Sequence, residues 1–256
     1  MKKILTGLLS LSLLLTLFTM GAWADKPETV DPTAPGAKVS DKLNTSEHFA
    51  YIMGYPDGTV KPEKNLTRGE AASIFYRLLT DSYRKEIQKT TNDFSDVSGT
   101  WYNTAVSTLE NGGIIKSNGG GKFRGEEPIT RAEYAGLAAR FTNEYFVGTD
   151  VFNDIANHWA RQDINLAASY GWVTGYPNHS FKPDGLITRA EVMTLTNNIL
   201  GRNRINNGSF LTGMLLWPDN NINQWHYNAV QEATNSHNFS RDLDGTEHWT
   251  ALYTAS

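Results

Sequence analysis

Three arginines stand at the same place in a repeated phrase, a setting that suggests shared chemistry. The phrase reads Leu-Thr-Arg-Gly-Glu once and Ile-Thr-Arg-Ala-Glu twice, and its arginines are Arg68, Arg131 and Arg189. A guanidinium presents a planar fork of N–H donors that matches two oxygens of a carboxylate or phosphate. The chemistry that these residues could do is therefore the binding of an anion.

The threonine and the glutamate of the phrase have a structural explanation. Threonine followed three residues later by glutamate is a capping box, in which the two side chains satisfy the free N–H groups at a helix start. Apolar residues recur every three or four positions after each threonine, which predicts a helix with one buried stripe. We therefore expect a helix to begin after each of Thr67, Thr130 and Thr188.

A cap does not need the arginine. The arginine falls at the first helical position, where the helix dipole disfavours a cation by about 0.3–1 kcal/mol. One interpretation is that the arginines bind an anionic ligand, since a helix N-terminus already attracts oxyanions. Replacing them with alanine would then leave stability level and weaken binding. The other is that each arginine pairs with a protein carboxylate, such as Asp57, Asp184 or Glu126.

The phrase belongs to a longer repeat. Residues 54–70 match residues 175–191 without a gap, and an apolar residue followed by a basic one precedes each phrase; the basic residues are Lys61, Arg124 and Lys182. Further upstream a tryptophan starts a segment with helical apolar spacing, at Trp101, Trp159 and Trp225. We expect these tryptophans in the core and read each unit as helix, turn, Pro/Gly-rich loop and helix.

The two ends of the array are incomplete in complementary ways. The first unit lacks the tryptophan helix, and the last tryptophan helix has no phrase after it. The C-terminal half unit is expected to complete the first in a closed arrangement, although degenerate capping repeats are an alternative. The expected divisions are a signal peptide (1–24), a linker (25–46), a partial first repeat (47–90), a second repeat (91–148), a third repeat (149–204), a half repeat (205–240) and a polar tail (241–256).

Composition narrows the class of protein. The chain has 256 residues, no cysteine and a net charge of −4, which argues against nucleic acid as a partner. Lys2 and Lys3, an apolar run and the stretch Ala22-Trp23-Ala24 predict a cleaved export signal with no membrane span afterwards. No catalytic motif is present and the six histidines show no metal-ligand spacing, so we expect neither an enzyme nor a cofactor.

The repeat combines a tryptophan segment, a "GYPDGTVKP" loop and a T-R-A-E helix, in register from about residue 48 to 239. This combination resembles S-layer homology domains. The resemblance implies a mainly α fold, with three helix–loop–helix repeats in a pseudo-three-fold arrangement around a central helical bundle. It also implies a ligand, a secondary cell-wall polysaccharide whose pyruvate ketals each expose a carboxylate. The principal contacts would then be Arg68, Arg131 and Arg189.

Other residues are expected to assist in binding the polysaccharide. Trp172 and the aligned Tyr51 are the candidates to stack on sugar rings, although a core position is the favoured interpretation of each ring. Lys61, Arg124 and Lys182 could add positive charge. The expected function is non-covalent anchoring of a secreted protein to the bacterial cell wall. The alternatives are a subunit of a surface lattice, a peptidoglycan-binding module in a bacterium with an outer membrane, and an accessory subunit of an enzyme.

Overall fold

The computed structural model describes residues 39–116, 121–206 and 210–254. The expected signal peptide, most of the expected linker and the glycine-rich centre of the second loop (117–120) lie outside the described residues. Of the expected linker, residues 39–46 are described, and they pack on the protein: Leu43 is buried and Asn44 donates its N–H to the carbonyl of Leu78. The linker therefore ends earlier than the sequence predicted.

The repeated phrase opens three helices, α1 (Arg68–Leu78), α4 (Arg131–Ala139) and α6 (Arg189–Leu200). In each, the threonine hydroxyl accepts the N–H of the glutamate, and the glutamate carboxylate accepts the N–H of the threonine. The capping boxes are thus confirmed. This cap is the reason that all three helices begin at the arginine.

The other helices are α2 (Asp81–Ile87), α3 (Asn103–Asn111), α5 (Arg161–Ser169) and α7 (Tyr227–Thr234). The last three each start two residues after a repeated tryptophan, and each packs on the phrase helix that precedes it: α3 on α1, α5 on α4 and α7 on α6. The mainly α class is confirmed. Among the described residues, no helix has the length and hydropathy needed to cross a membrane.

The segments before the three phrase helices join in a closed cycle of backbone hydrogen bonds. Leu66 donates to the carbonyl of Ile187 at 3.0 Å, Ile187 to that of Ile129 at 3.2 Å, and Ile129 to that of Leu66 at 2.9 Å. The starts of the three phrase helices therefore meet at one place, although a pseudo-three-fold arrangement of the helices around it stays a prediction.

A second contact recurs, and it links the two ends of the array. An aspartate that precedes each tryptophan helix accepts hydrogen bonds from two successive backbone N–H groups of a loop. Asp96 and Asp154 do so within the second and third repeats, at Phe123–Arg124 and Phe181–Lys182. Asp219 does the same for Val60 and Lys61 of the first repeat, across 159 and 158 residues of chain.

The predicted polar tail is wrong for most of its length. Residues 237–252 form an antiparallel hairpin of β1 (His237–Arg241) and β2 (Glu247–Leu252). Glu247 and Trp249 are buried, and the Trp249 ring stacks on His237 with 3.8 Å between ring centroids. The alternation of polar and apolar residues that marks a strand is short here, which explains why composition alone suggested a solvated tail.

Candidate functional site

Each phrase arginine reaches into the loop of another repeat. The Nε atoms of Arg68, Arg131 and Arg189 each donate a 2.8 Å hydrogen bond to a backbone carbonyl, that of Phe123, Phe181 and Val60 respectively. This carbonyl belongs to the apolar residue directly before the repeated basic position. The guanidinium is therefore held in a fixed orientation between two repeats.

Each arginine also pairs with the capping glutamate of another phrase. The Nη1 atoms of Arg131 and Arg189 lie 2.8 Å from Glu191 and 3.3 Å from Glu70, and Arg68 pairs with Glu133. Like the Nε bonds, the three pairs join the first repeat to the second, the second to the third and the third to the first. Each glutamate therefore has two functions, since it caps its own helix and binds a neighbouring arginine.

These contacts settle what the arginines bind within the protein. The carboxylates expected as partners are engaged elsewhere: Asp57 pairs with Lys61, Asp184 with His158, and Glu126 accepts from Trp101. Sequence missed the capping glutamates as partners because they already had a local explanation. Binding of a polysaccharide by the arginines stays a prediction.

Two grooves of equivalent construction lie beside these ion pairs. The Arg68 groove, about 150 Å³, is lined by Arg68, Lys116, Glu133, Gly136, Arg140 and Trp159, together with apolar side chains. The Arg131 groove, about 40 Å³, has Arg131, Thr174, Glu191, Thr194, Asn198 and Trp225 in corresponding places. The Arg68 groove is the larger and the more basic of the two. Ile114 and Gly136 line it where the larger Trp172 and Thr194 line the other.

Burial separates the two groups of aromatic residues, and it contradicts the expectation for the repeated tryptophans. Trp172 and Tyr51 are only 1% and 2% exposed, and the Tyr51 hydroxyl donates to Asn197 at 2.7 Å. Both therefore occupy core positions, as the structural interpretation expected, and Trp172 also lines the Arg131 groove; stacking of either ring on a sugar stays a prediction. Trp101, Trp159 and Trp225, which were expected in the core, are 62%, 65% and 39% exposed.

The repeated basic residues have a backbone function. Lys61, Arg124 and Lys182 adopt the left-handed conformation, with φ of 50°, 59° and 54°. This conformation points two successive N–H groups at the aspartate carboxylates described above. Among the described residues, these side chains are not part of the lining of either groove. Their contribution to ligand binding stays a prediction.

The loop contact also changes the acidity of one aspartate. Burial alone would raise the pKa of Asp96, but the N–H groups of Phe123 and Arg124 stabilise the carboxylate and lower its pKa below the ordinary 3.8. The loop conformation of the second repeat is therefore tied to the charge on this residue.

Sequence reasoning missed Lys116 and Arg140. Both are basic residues of the Arg68 groove, and Arg140 also donates to the carbonyl of Ile114 at 3.2 Å. Their positions correspond to Thr174 and Asn198 in the Arg131 groove, so the repeat did not mark them. Comparing the repeats for differences as well as for shared residues would have indicated them.

Comparison with known proteins identifies the repeat. The S-layer homology domain model matches residues 48–72, 93–135 and 151–193, which include all three phrases. The chain belongs to the S-layer homology domain family. The three matched domains contain the arginine–glutamate pairs, and the first match, at residues 48–72, is the shortest.

Several curated proteins resemble this S-layer homology chain. It is 32% identical over 231 residues to the cellulosome-anchoring protein of Acetivibrio thermocellus, covering 87% of this chain and 51% of that protein. It is 32% identical over 207 residues to cell surface glycoprotein 1 of the same organism, covering 75% and 9%. An S-layer protein of Bacillus licheniformis is 27% identical over 194 residues, covering 74% and 22%.

The chain spans about half the length of the first of these relatives and far less of the other two. Together with the family match, they confirm the cell-surface localisation predicted from the sequence. They support anchoring at the cell wall as the general role of the S-layer homology chain. They also support the interpretation of this chain as a binding module rather than a catalyst.

Proposed function

We propose that this chain attaches non-covalently to the bacterial cell wall by binding an anionic secondary cell-wall polysaccharide that carries pyruvate ketals. The Arg68 groove carries the proposal, because it combines basic side chains with an exposed aromatic ring. Arg68, Lys116 and Arg140 line it together with Trp159, whose side chain is 65% exposed. A carboxylate attached to a sugar ring needs both kinds of contact.

Exposure of the arginines supports the choice of this groove. The side chain of Arg68 is 27% exposed, whereas those of Arg131 and Arg189 are 7% and 5% exposed. Arg131 and Arg189 also donate through Nη2 to the carbonyls of Thr174 and Met53. Arg68 is therefore the phrase arginine best placed to share its guanidinium between Glu133 and a ligand carboxylate.

The test is sedimentation of the protein with purified cell walls, before and after chemical removal of the pyruvate groups. We expect the wild-type protein to bind the untreated walls and to lose most of this binding when pyruvate is removed. Binding that survives the removal would contradict the pyruvate specificity. Binding to peptidoglycan freed of all secondary polymer would favour the peptidoglycan-binding alternative.

Variants test the groove itself. Trp159→Ala and Lys116→Ala remove groove contacts without emptying the core, and we expect each to weaken wall binding about tenfold, as loss of one charge-assisted or stacking contact would. Tyr145→Ala is the matched control, because Tyr145 is an exposed aromatic residue outside both grooves. Equal binding by Trp159→Ala and Tyr145→Ala would place the ligand elsewhere.

A further inference from the structure

A buried polar cluster lies apart from both grooves, where three segments of the chain meet. His48 comes from the start of the first repeat, Glu232 from α7, and His237 and Glu247 from the hairpin. The side chains of all four are 0% exposed. The backbone fixes two of them, since His237 donates its N–H to the carbonyl of His48 at 2.9 Å.

The facing atoms of the cluster have the spacing of ligands around one small metal ion. His48 Nδ1 lies 3.2 Å from His237 Nε2 and 3.0 Å from Glu232 Oε1, and His237 Nε2 lies 3.3 Å from Glu232 Oε2. Glu247 Oε2 is 3.6 Å from His48 Nδ1. Zinc bonds to nitrogen and oxygen of about 2.0–2.2 Å place tetrahedral ligands roughly 3.3–3.5 Å apart.

Hydrogen bonding prepares one histidine to be a ligand. The Nδ1 atom of His237 lies 3.0 Å from the carbonyl of Asn235, which can only accept a hydrogen bond. His237 therefore carries its proton on Nδ1, and its Nε2 directs a lone pair into the cluster. A hydrogen bond from the second ring nitrogen to a carbonyl is the usual way in which proteins orient a metal-binding histidine.

The carboxylate oxygens of the cluster lack hydrogen bonds that would explain their burial. Apart from the histidine contacts and a stabilising interaction of Glu232 with the Trp249 indole, the oxygens of Glu232 and Oε2 of Glu247 have no hydrogen bond within the described part of the chain. The other oxygen of Glu247 pairs with Arg241. Buried carboxylate oxygens without partners are costly, and coordination of a cation would satisfy them.

Charge around the cluster limits which cation fits. Arg202 is fully buried nearby, with hydrogen bonds to the carbonyls of Asn44 and Glu47, and Arg241 pairs with Glu247. These guanidinium groups disfavour an ion that binds through charge alone, such as Mg²⁺ or Ca²⁺. An ion that gains from imidazole nitrogen fits better, and two histidines with carboxylates are typical of Zn²⁺.

We propose that His48, Glu232 and His237 bind one Zn²⁺ with a structural role, with the Glu247 carboxylate beside the ion. The ion would join the start of the first repeat to α7 and the hairpin, and so fix the two ends of the array to each other. The histidines lie 189 residues apart in the chain. This is why their spacing in the sequence gave no sign of a metal site.

The first experiment uses the wild-type chain without a polyhistidine tag. Mass spectrometry should find one zinc per chain after purification without chelator. Removing the metal with a chelator should lower the melting temperature, and added Zn²⁺ should restore it. Co²⁺ in place of Zn²⁺ should give the visible absorption of a tetrahedral site. A chain that holds no metal, does not respond to Zn²⁺ and gives no such spectrum would overturn the proposal.

Variants then assign the ligands. We expect His48→Gln and His237→Gln each to lose the bound zinc. His248→Gln is the matched control, because His248 is on the same hairpin but pairs with Asp242. If His48→Gln keeps its zinc, the assignment is wrong. Should these variants fail to fold, the metal content and Co²⁺ spectrum of the wild-type chain still decide whether the site exists.

Discussion

The glutamates of the repeated phrase have two structural roles. Glu70, Glu133 and Glu191 cap their own helices and also receive an arginine from another repeat. The helix dipole considered alone predicts that removing the arginine costs no stability. The observed pairs predict the opposite, because a partly buried glutamate would lose the arginine that balances its charge.

Arg131→Ala should therefore destabilise the protein by about 3 kcal/mol, in the range found when one member of a buried ion pair is removed. Arg161→Ala is the control: it breaks an ion pair with Asp150 whose arginine is 49% exposed, and should cost less than about 1 kcal/mol. Chemical denaturation of both variants measures the difference. Equal midpoints would show that the buried pair makes no special contribution.

Gly69 illustrates how packing overrides helix propensity. It replaces the alanine of the other phrases, and by propensity Gly69→Ala should stabilise α1 by up to about 1 kcal/mol. A Cβ atom there would lie only 2.5 Å from the ring of Tyr102. We expect Gly69→Ala to lower the free energy of unfolding by about 1–3 kcal/mol. Thermal denaturation should also show a smaller effect of the same change when Tyr102 is already alanine; an equal effect would contradict the clash.

At the scale of the element, the loops depend on a charged aspartate. The pKa of Asp96 is lowered in the folded state, so its contribution to stability is present above the ordinary value of 3.8 and is lost as pH falls through the folded value. Asp96→Asn should therefore be less stable than wild type at neutral pH, and the gap should narrow in acid. Urea unfolding of both proteins at several pH values measures it. A gap that does not change with pH would mean that the carboxylate charge is not involved.

The sequence predicted the elements well where the signal was local. Capping boxes and apolar spacing placed α1, α4 and α6 because both depend on residues within a few positions of each other. The site was harder to predict. Exposure of Trp159 and burial of Trp172 depend on which helix packs on which, and the Arg131–Glu191 pair joins residues 60 positions apart. Such distant contacts leave no local pattern.

At the scale of the whole molecule, the recurring aspartate contact predicts how the ends of the array are coupled. Asp219→Ala should speed hydrogen exchange at the amides of Val60 and Lys61, which donate to it at 3.0 and 2.7 Å. Asp57→Ala alters a carboxylate of the same loop that is 53% exposed and should leave those amides protected. Exchange measured by mass spectrometry would compare the two. Unchanged exchange in Asp219→Ala would show that the first repeat does not depend on this contact.

The contacts between residues 48–61 and 219–237 also bear on the order of folding. A chain is synthesised from its N-terminus, and early segments can fold only with partners that already exist. The amides of Tyr51 and Ile52 donate to the carbonyl of Ala233, and the carbonyl of His48 accepts the amide of His237. The first repeat to be made is therefore the last to obtain its partners. Closing so long a loop costs entropy before any contact repays it, which slows the final step. Of the three repeats, the one synthesised first is thus the one that stays incompletely folded for longest.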